Sequence, residues 1–382
     1  MARRQFHVGD PAPWFSCRST TNPNFHFDAV AGRYLVLTFF GSSAPAASGK
    51  VLKHITTDLR HHFDDDNIAF FGVSIDPEDE GRIKEALPGI RFFLDFDRKV
   101  SALYGAVDAE QAAAKTPAYD GFTLVLDPFL RVIANIPLAN PKKHNEALSE
   151  VLSNLTPIDG HAGTGLCAPI LILPRVFEPQ FCKELIKLYG EQGGEESGFM
   201  REKEGKTVHV ADHSFKRRKD FNFSDSEEFE PLRQAVRARL IRRLVPEIQK
   251  AFNFGVTRIE RYIVACYEGE TGGFFRAHRD NTTKGTAHRR FACTLNLNAE
   301  EYEGGDLRVP EFGTRTYRAP TGGAVIFSCS LLHEATPVTK GKRYAFLPFL
   351  YDDAAAKIRD ENRKFISDER IKVSRSEGGT AA

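Results

Sequence analysis

Two histidines and one aspartate, separated by a long stretch of chain, constrain how this sequence folds more than any other feature. His278 and Asp280 lie two residues apart in a segment with the alternation of a β-strand, and His333 stands alone behind a glycine-rich segment. Residues two apart on a strand face the same way, so His278 and Asp280 can reach one point. We predict that His333, on a later strand, completes a site for one metal ion.

Such a site has a defined chemistry. Two imidazoles and one carboxylate on one face of an octahedral metal leave the other positions open for a bidentate co-substrate and oxygen, as is typical of non-haem Fe(II) oxygenases. Arg343 follows ten residues after His333, and a guanidinium can bind a carboxylate through two parallel hydrogen bonds. We therefore predict that Arg343 binds the distal carboxylate of 2-oxoglutarate. The alternative is an exposed arginine at a strand end.

The motifs around these residues resemble the prolyl 4-hydroxylase family of 2-oxoglutarate- and Fe(II)-dependent dioxygenases. The similar segments are residues 263–281, the Glu-Gly-Gly-Asp-Leu sequence at 303–307, and residues 333–344. The resemblance covers roughly residues 168–352, because residues 169–177 and the helix after them also look like the family's entry strand and support helix.

The resemblance implies a role for each matching residue. His278, Asp280 and His333 would bind the iron, Arg343 would bind the co-substrate, and Tyr267 would line the co-substrate pocket. The family usually has a tyrosine on the strand after the metal pair, where this chain has an asparagine. The candidates for that contact are Asn296 and Thr294. The three ligands would also bind Mn(II), Co(II), Ni(II) or Zn(II) in vitro, so Fe(II) is an inference.

The N-terminal part of the chain has a different pattern. Residues 33–40 and 68–75 are near-continuous apolar runs, which are typical of strands buried on both faces of a sheet. The other predicted elements are a helix within 50–62, a hairpin of 122–127 and 132–136, and a helix that begins at Asn140 and Pro141. This order predicts an α/β domain with a central mixed sheet.

This part resembles the thioredoxin fold in its peroxiredoxin branch, at residues 8–13 and 71–76. Thiol peroxidases need a low-pKa thiolate at the turn that here spans residues 41–48. No cysteine occurs between Cys17 and Cys167. We therefore predict a redox-inactive domain retained for docking, dimerisation or substrate presentation, with a working peroxide-handling module as the alternative.

The chain is long enough for two domains with separate cores. We predict a thioredoxin-like domain at 1–155, a Gly- and Pro-rich linker at 156–167, and a dioxygenase domain at 168–353. The last would be a double-stranded β-helix, or jelly roll, with supporting helices. Residues 354–382 are predicted to form a charged tail, a helix that frays into disorder.

Composition excludes several classes of partner. The formal net charge is +1, so no global field favours nucleic acid. The basic run at 216–219 is predicted to be a solvated face, with a place near the substrate entrance as the alternative. No segment has the roughly 18 uninterrupted apolar residues of a membrane helix, and the N-terminus lacks the apolar core of a secretory signal. The six cysteines form no Cys-x-x-Cys pair and predict reduced thiols in a cytoplasmic protein.

The predicted function is a dioxygenase that hydroxylates a prolyl residue in a peptide or protein, or a related amino-acid or small-molecule substrate. O2 and 2-oxoglutarate would be consumed, succinate formed, and L-ascorbate used as reductant. Two alternatives are open: a jelly roll that binds metal without catalysis, and a thioredoxin-like docking or peroxide-handling protein. The N-terminal domain would form the contact in a homodimer or bind a protein partner. The sequence specifies neither the substrate nor the hydroxylated position.

Overall fold

The computed structural model of the protein describes residues 5–114 and 117–373. Within these ranges the chain forms two compact units. The first ends at Leu166 and also takes in Pro310–Thr314, and the second starts at Cys167. Each unit has its own apolar core. None of the described helices is long and apolar enough to cross a membrane.

The first unit is built on a five-stranded mixed sheet. Strands Tyr34–Gly41 and Ile68–Ser74 run parallel and are buried along their whole length, because their near-continuous apolar sequences suit a strand covered on both faces. The predicted hairpin is confirmed by antiparallel pairing of its two strands. The order across the sheet is Ile90–Leu94, Ile68–Ser74, Tyr34–Gly41, Phe122–Leu126 and Val132–Pro137.

The last long helix of the first unit begins where the sequence predicts. The Asn140 side chain accepts a hydrogen bond from the Lys143 backbone N–H at 3.1 Å, with Pro141 in the first turn, which is the predicted cap. The helical segments are Phe27–Val30, Ala46–Lys53, His54–Asp58, Arg60–His62, Asp79–Arg82, Lys99–Leu103, Ala109–Gln111, Pro141–Ser153 and Ile158–Gly160. A small pair of strands, Ser16–Cys17 and Phe25–His26, completes the unit.

The second unit contains a large and a small antiparallel sheet. The large sheet has the order Arg258–Glu260, Phe349–Tyr351, Phe291–Asn296, Lys342–Phe346, Ile263–Glu268, Lys219–Asn222 and Glu195–Glu196, with Ala324–Ser328 joining Phe291–Asn296 to Leu171–Leu173. The small sheet has the order Lys216–Arg217, Phe274–His278, His333–Ala335, Leu307–Arg308 and Thr316–Tyr317. A separate pair is formed by Glu303–Gly304 and Val338–Lys340.

The two faces of the large sheet have different environments. One face packs against helices Pro179–Gln192, Glu230–Arg243 and Val245–Phe252 in the main core of the unit. The other face carries Tyr267 and Ala345 in a second buried cluster. Because side chains alternate along a strand, Arg343 lies on this second face with Ala345.

The C-terminal segment is more ordered than predicted. Helix Asp353–Asn362 and a short turn at Arg363–Phe365 lead into strand Ile366–Val373, which pairs in parallel with Lys206–Asp212. The expectation of a disordered tail is therefore wrong for residues 366–373. Lys206–Asp212 also pairs with Phe199–Lys203, and residues 374–382 lie outside the described ranges.

The basic run at 216–219 is only half solvated. Lys216 and Arg218 are 4% and 7% exposed, whereas Arg217 and Lys219 are exposed. The strand alternation explains this, because every second side chain turns inward. The prediction of a solvated face is wrong for Lys216 and Arg218.

Candidate metal centre

Three potential ligand atoms from two separate parts of the chain meet at one point. The side chains of His278, Asp280 and His333 each offer an atom within 4.8 Å of the other two. Asp280 Oδ1 is 3.5 Å from His278 Nε2, and Asp280 Oδ2 is 3.3 Å from His333 Nε2. Bonds of about 2.1 Å at right angles to one metal would place ligand atoms roughly 3.0 Å apart. The observed spacing therefore suits a single cation.

The small sheet brings the two histidines together. His278 and His333 are directly opposite each other on antiparallel strands. The register shifts between Phe275 and His278, and such a bulge re-aims the side chains that follow it. Phe275 stacks on the His278 ring, and Phe327 packs edge-on against His333. Both imidazoles are thus fixed in orientation by aromatic neighbours.

Backbone carbonyls determine the tautomer of both histidines. His278 Nδ1 lies 2.7 Å from the Arg276 carbonyl, and His333 Nδ1 lies 2.9 Å from the Leu331 carbonyl. A carbonyl oxygen only accepts, so each Nδ1–H must donate. Nε2 is then the ring nitrogen of each histidine that is left to bind a metal, and a carbonyl partner of this kind is the usual support for a metal-binding histidine.

The protonation states also suit a cation. Burial, followed by the nearby His333, lowers the pKa of His278 to about 4, so its imidazole is neutral at physiological pH. Burial alone would raise the pKa of Asp280, but His333 and His278 outweigh it and hold that pKa well below its usual range. The site therefore presents an ionised carboxylate to a cation.

Asp280 lies just beyond the end of its strand and is held by the backbone. Its N–H donates to the Cys329 carbonyl at 3.0 Å, and its own carbonyl accepts from Arg289 at 3.3 Å. Arg289 is in turn paired with the half-buried Glu260 at 2.6 Å. This ion pair braces the segment that carries the carboxylate.

Arg343 is an unusual cation because it is buried without a matching anion. It is 3% exposed, and its Nε and Nη1 have no hydrogen-bond partner among the described residues. Its Cα partner on the neighbouring strand is Tyr267, and the guanidinium lies 4.9 Å from the centre of that ring. An unpaired buried charge is costly, so this guanidinium is suited to an anionic ligand.

Tyr267 is itself held by a buried network that the sequence did not reveal. Its hydroxyl accepts a hydrogen bond from Arg218 Nη1 at 3.3 Å. Arg218 is also paired with Asp220 through two hydrogen bonds of 2.7 Å. The only sequence signal was the basic run with Asp220 after it, which is equally compatible with an exposed strand.

Asn296 and Thr294 lie on the same face as Arg343. Asn296 Nδ2 donates to the Ala319 carbonyl at 2.7 Å, while its Oδ1 is buried without a partner among the described residues. An unpartnered acceptor is a poor match for a carboxylate, which also only accepts. Thr294 is half-buried.

In the first unit, the turn at residues 41–48, where a thiol peroxidase would carry its thiolate, is held by a network of hydrogen bonds. Asp79 is fully buried and accepts hydrogen bonds from the Ser43 backbone N–H at 2.9 Å and from Ser74 Oγ at 2.6 Å. Ser42 Oγ donates to Asp76 at 2.7 Å. Burial, and then Asp95, raises the pKa of Cys17 to about 12. Neither the turn nor Cys17 offers a thiolate, and all six cysteines are unpaired.

Comparison with known proteins gives the C-terminal unit a family context. Residues 262–351 match the 2OG-Fe(II) oxygenase superfamily. A PKHD-type hydroxylase of Synechococcus sp. (strain JA-2-3B'a(2-13)) is 33% identical over 93 residues, which cover 23% of this chain and 41% of that protein. The chain thus spans about two fifths of the length of such relatives. The resemblance to this class of dioxygenase is confirmed for this region.

Two solved structures illustrate the similarity of the chain to proteins of known structure. One is a prolyl hydroxylase in complex with a hypoxia inducible factor oxygen degradation domain peptide fragment from Trichoplax adhaerens, with 18% identity, TM-score 0.41, and coverage of 56% of this chain and 94% of that one. The other is the peroxidoxin BcpB of Mycobacterium tuberculosis, with 17% identity, TM-score 0.34, and coverage of 40% and 99%.

Proposed function

We propose that the second unit is a 2-oxoglutarate- and Fe(II)-dependent dioxygenase that hydroxylates its substrate and converts 2-oxoglutarate to succinate and CO2. The observation that carries the proposal is the convergence of His278, Asp280 and His333 on one point. The superfamily match of residues 262–351 supports the same chemistry. We further propose that this unit is a jelly roll, that the domains have the boundaries predicted from the sequence, and that the site residues have the roles predicted for them.

The chemistry of the donor set fits iron. Two imidazole nitrogens and one carboxylate are the facial ligands of this class of iron site, and they leave three positions for exchangeable ligands. Each Nε2 lone pair is available because Nδ1 donates to a carbonyl. The ionised Asp280 supplies a negative charge next to the cation.

The unpartnered Arg343 guanidinium fits a dicarboxylate. Its Nε and Nη1 have no partner among the described residues, and either can donate a charge-assisted hydrogen bond to a carboxylate. The Tyr267 ring would form one wall of this pocket, and Arg218 and Asp220 would keep the ring in place. The far carboxylate of 2-oxoglutarate is the ligand group that we assign to Arg343.

In this mechanism the bound iron would supply the activation of O2, and the chain would supply position and environment. His278, Asp280 and His333 would hold the cation through two imidazole nitrogens and one carboxylate. Arg343 would orient the co-substrate by its distal end, which leaves the 2-oxo acid end free to reach the metal. Phe275 and Phe327 would keep water away from the two imidazoles.

The substrate class is proposed from the family resemblance. We propose a prolyl residue in a peptide or protein, with a free amino acid or a related small molecule as the alternative. The first unit would be a non-catalytic module for docking or dimerisation, because Ser43 and Asp79 close the turn where a thiolate would be required. The use of ascorbate and a cytoplasmic location stay predictions.

The experiment is a screen for succinate formation. The Fe(II)-loaded full chain is incubated with 2-oxoglutarate and a panel of proline-containing peptides and free amino acids. We expect succinate release with a matched substrate, its loss in His278→Ala, and its retention in His61→Ala, which changes an exposed histidine of the first unit. Succinate release that survives unchanged in His278→Ala would contradict the proposal.

A further inference from the structure

A second buried polar group without a partner lies beside Arg343. Tyr302 is 5% exposed and belongs to the same buried cluster as Tyr267. Its hydroxyl has no hydrogen-bond partner among the described residues. A buried hydroxyl without a partner costs free energy, so this one, like the Arg343 nitrogens, is suited to a ligand.

The glycine turn at 303–306 brings Tyr302 and Arg343 together. A Cβ atom on Gly305 would lie 3.2 Å from Arg343 Cδ and 3.5 Å from Tyr302 Cε2. Gly305 also has a φ of +68°, which a residue with a side chain rarely adopts. The absence of a side chain at this position lets the Arg343 and Tyr302 side chains lie side by side.

The loop that carries Tyr302 is held in place before any ligand binds. The Arg318 guanidinium lies 4.3 Å from the centre of the Tyr302 ring. It also donates to the carbonyls of Ala299, Tyr302 and Gly304 at 2.9, 3.0 and 2.6 Å, and to Asp306 Oδ1 at 2.6 Å. The Tyr302 hydroxyl is therefore preorganised, which reduces the cost of binding.

We propose that the Tyr302 hydroxyl donates a hydrogen bond to the distal carboxylate of the 2-oxo dicarboxylate co-substrate, beside Arg343. Tyr302 thereby takes the role expected of Asn296 or Thr294. A phenol can donate and a carboxylate only accepts, whereas the unpartnered group of Asn296 is an acceptor. This inference rests on the proposed function of the site.

The test compares two ligands of the same length. Binding of 2-oxoglutarate and of 2-oxopentanoate, which has a methyl group in place of the distal carboxylate, is measured by calorimetry on the Mn(II)-loaded full chain. We expect Tyr302→Phe to weaken 2-oxoglutarate roughly 10- to 100-fold, because a hydrogen bond to a charged group is lost, and to leave 2-oxopentanoate unchanged. Tyr344→Phe is the matched control, because Tyr344 is on the opposite face of the strand from Arg343.

Each outcome separates the inference from the function on which it rests. Tyr302→Phe that binds 2-oxoglutarate as tightly as the wild type, or that weakens both ligands by the same factor, overturns the role of Tyr302 while the function stands. Wild-type protein that does not bind 2-oxoglutarate overturns both. Incomplete folding of the variant would lower the binding stoichiometry and not the ratio of the two affinities, so that ratio decides.

Discussion

Replacing Arg343 by methionine should stabilise the metal-free protein and at the same time abolish its affinity for the co-substrate. Two guanidinium nitrogens are buried without partners among the described residues, and each such group costs about 1–3 kcal/mol. The contact with the Tyr267 ring returns about 0.5–2 kcal/mol of this. We therefore expect Arg343→Met to raise the free energy of unfolding by roughly 1–3 kcal/mol.

The assay is scanning calorimetry of the metal-free protein, combined with titration of 2-oxoglutarate into the Mn(II) form. For a unit of this size each kcal/mol corresponds to roughly 2–4 °C in the unfolding temperature. Binding should weaken roughly 100-fold or more, because a charge-assisted hydrogen bond from a buried cation is lost.

Arg318→Met is the matched control, with the opposite expected sign. Arg318 makes four hydrogen bonds to the loop that it supports, so its removal should lower stability by roughly 2–4 kcal/mol. The reasoning is refuted if Arg343→Met lowers the unfolding temperature as Arg318→Met does, or if it leaves 2-oxoglutarate binding intact.

Three further predictions concern the surroundings of the site and the first unit. Gly305→Ala should reduce both stability and 2-oxoglutarate affinity, because the new Cβ would lie 2.7 Å from Val338 Cγ2. The control Gly205→Ala, with a φ of +74° and no atom within 4 Å of the new Cβ, should cost only the backbone strain of roughly 1–3 kcal/mol. Equal losses of stability in calorimetry would argue against the steric explanation. Glu260→Gln should lower stability by roughly 3–5 kcal/mol, because Arg289, with a side chain only 11% exposed, loses its counter-ion. Glu247→Gln, in an exposed pair, should cost less than about 1 kcal/mol. Similar denaturant midpoints for the two variants would contradict this. Burial raises the pKa of Asp95 to about 6, above its unfolded value of 3.8. The contribution of Asp95 to stability is therefore fully present below pH 3.8 and is lost as the pH rises through 6. The stability of the wild type relative to Asp95→Asn should fall from pH 4 to pH 7, and a flat difference would refute the shift.

Local pattern was sufficient to predict much of this molecule. The apolar runs at 33–40 and 68–75 form fully buried strands, since an uninterrupted apolar sequence has no face that it can turn to water. The hairpin at 122–137 and the helix cap at Asn140 follow from equally local signals. The meeting of His278 and His333 was predicted from the ligand types and their order along the chain. In the structure the pairing of two antiparallel strands places them opposite each other.

Features that depend on distant pairing were not predictable in this way. Strand Ile366–Val373 pairs with Lys206–Asp212. Four of its eight residues are charged, so its sequence lacks the apolar alternation that would predict a strand. Lys216 and Arg218 are buried with polar partners from other segments, Ser197 for both and Tyr267 for Arg218. Tyr302 lies in a loop, where no periodicity tells which way a side chain points.

The measurement that tests the central claim most directly is an anaerobic titration of the metal-free chain with Fe(II) in the presence of 2-oxoglutarate. Binding of both to one centre should produce a weak visible charge-transfer band that saturates at one Fe(II) per chain. His278→Ala should abolish the band, and the exposed control His61→Ala should retain it. A band of unchanged intensity and stoichiometry in His278→Ala would show that His278, Asp280 and His333 are not the iron ligands.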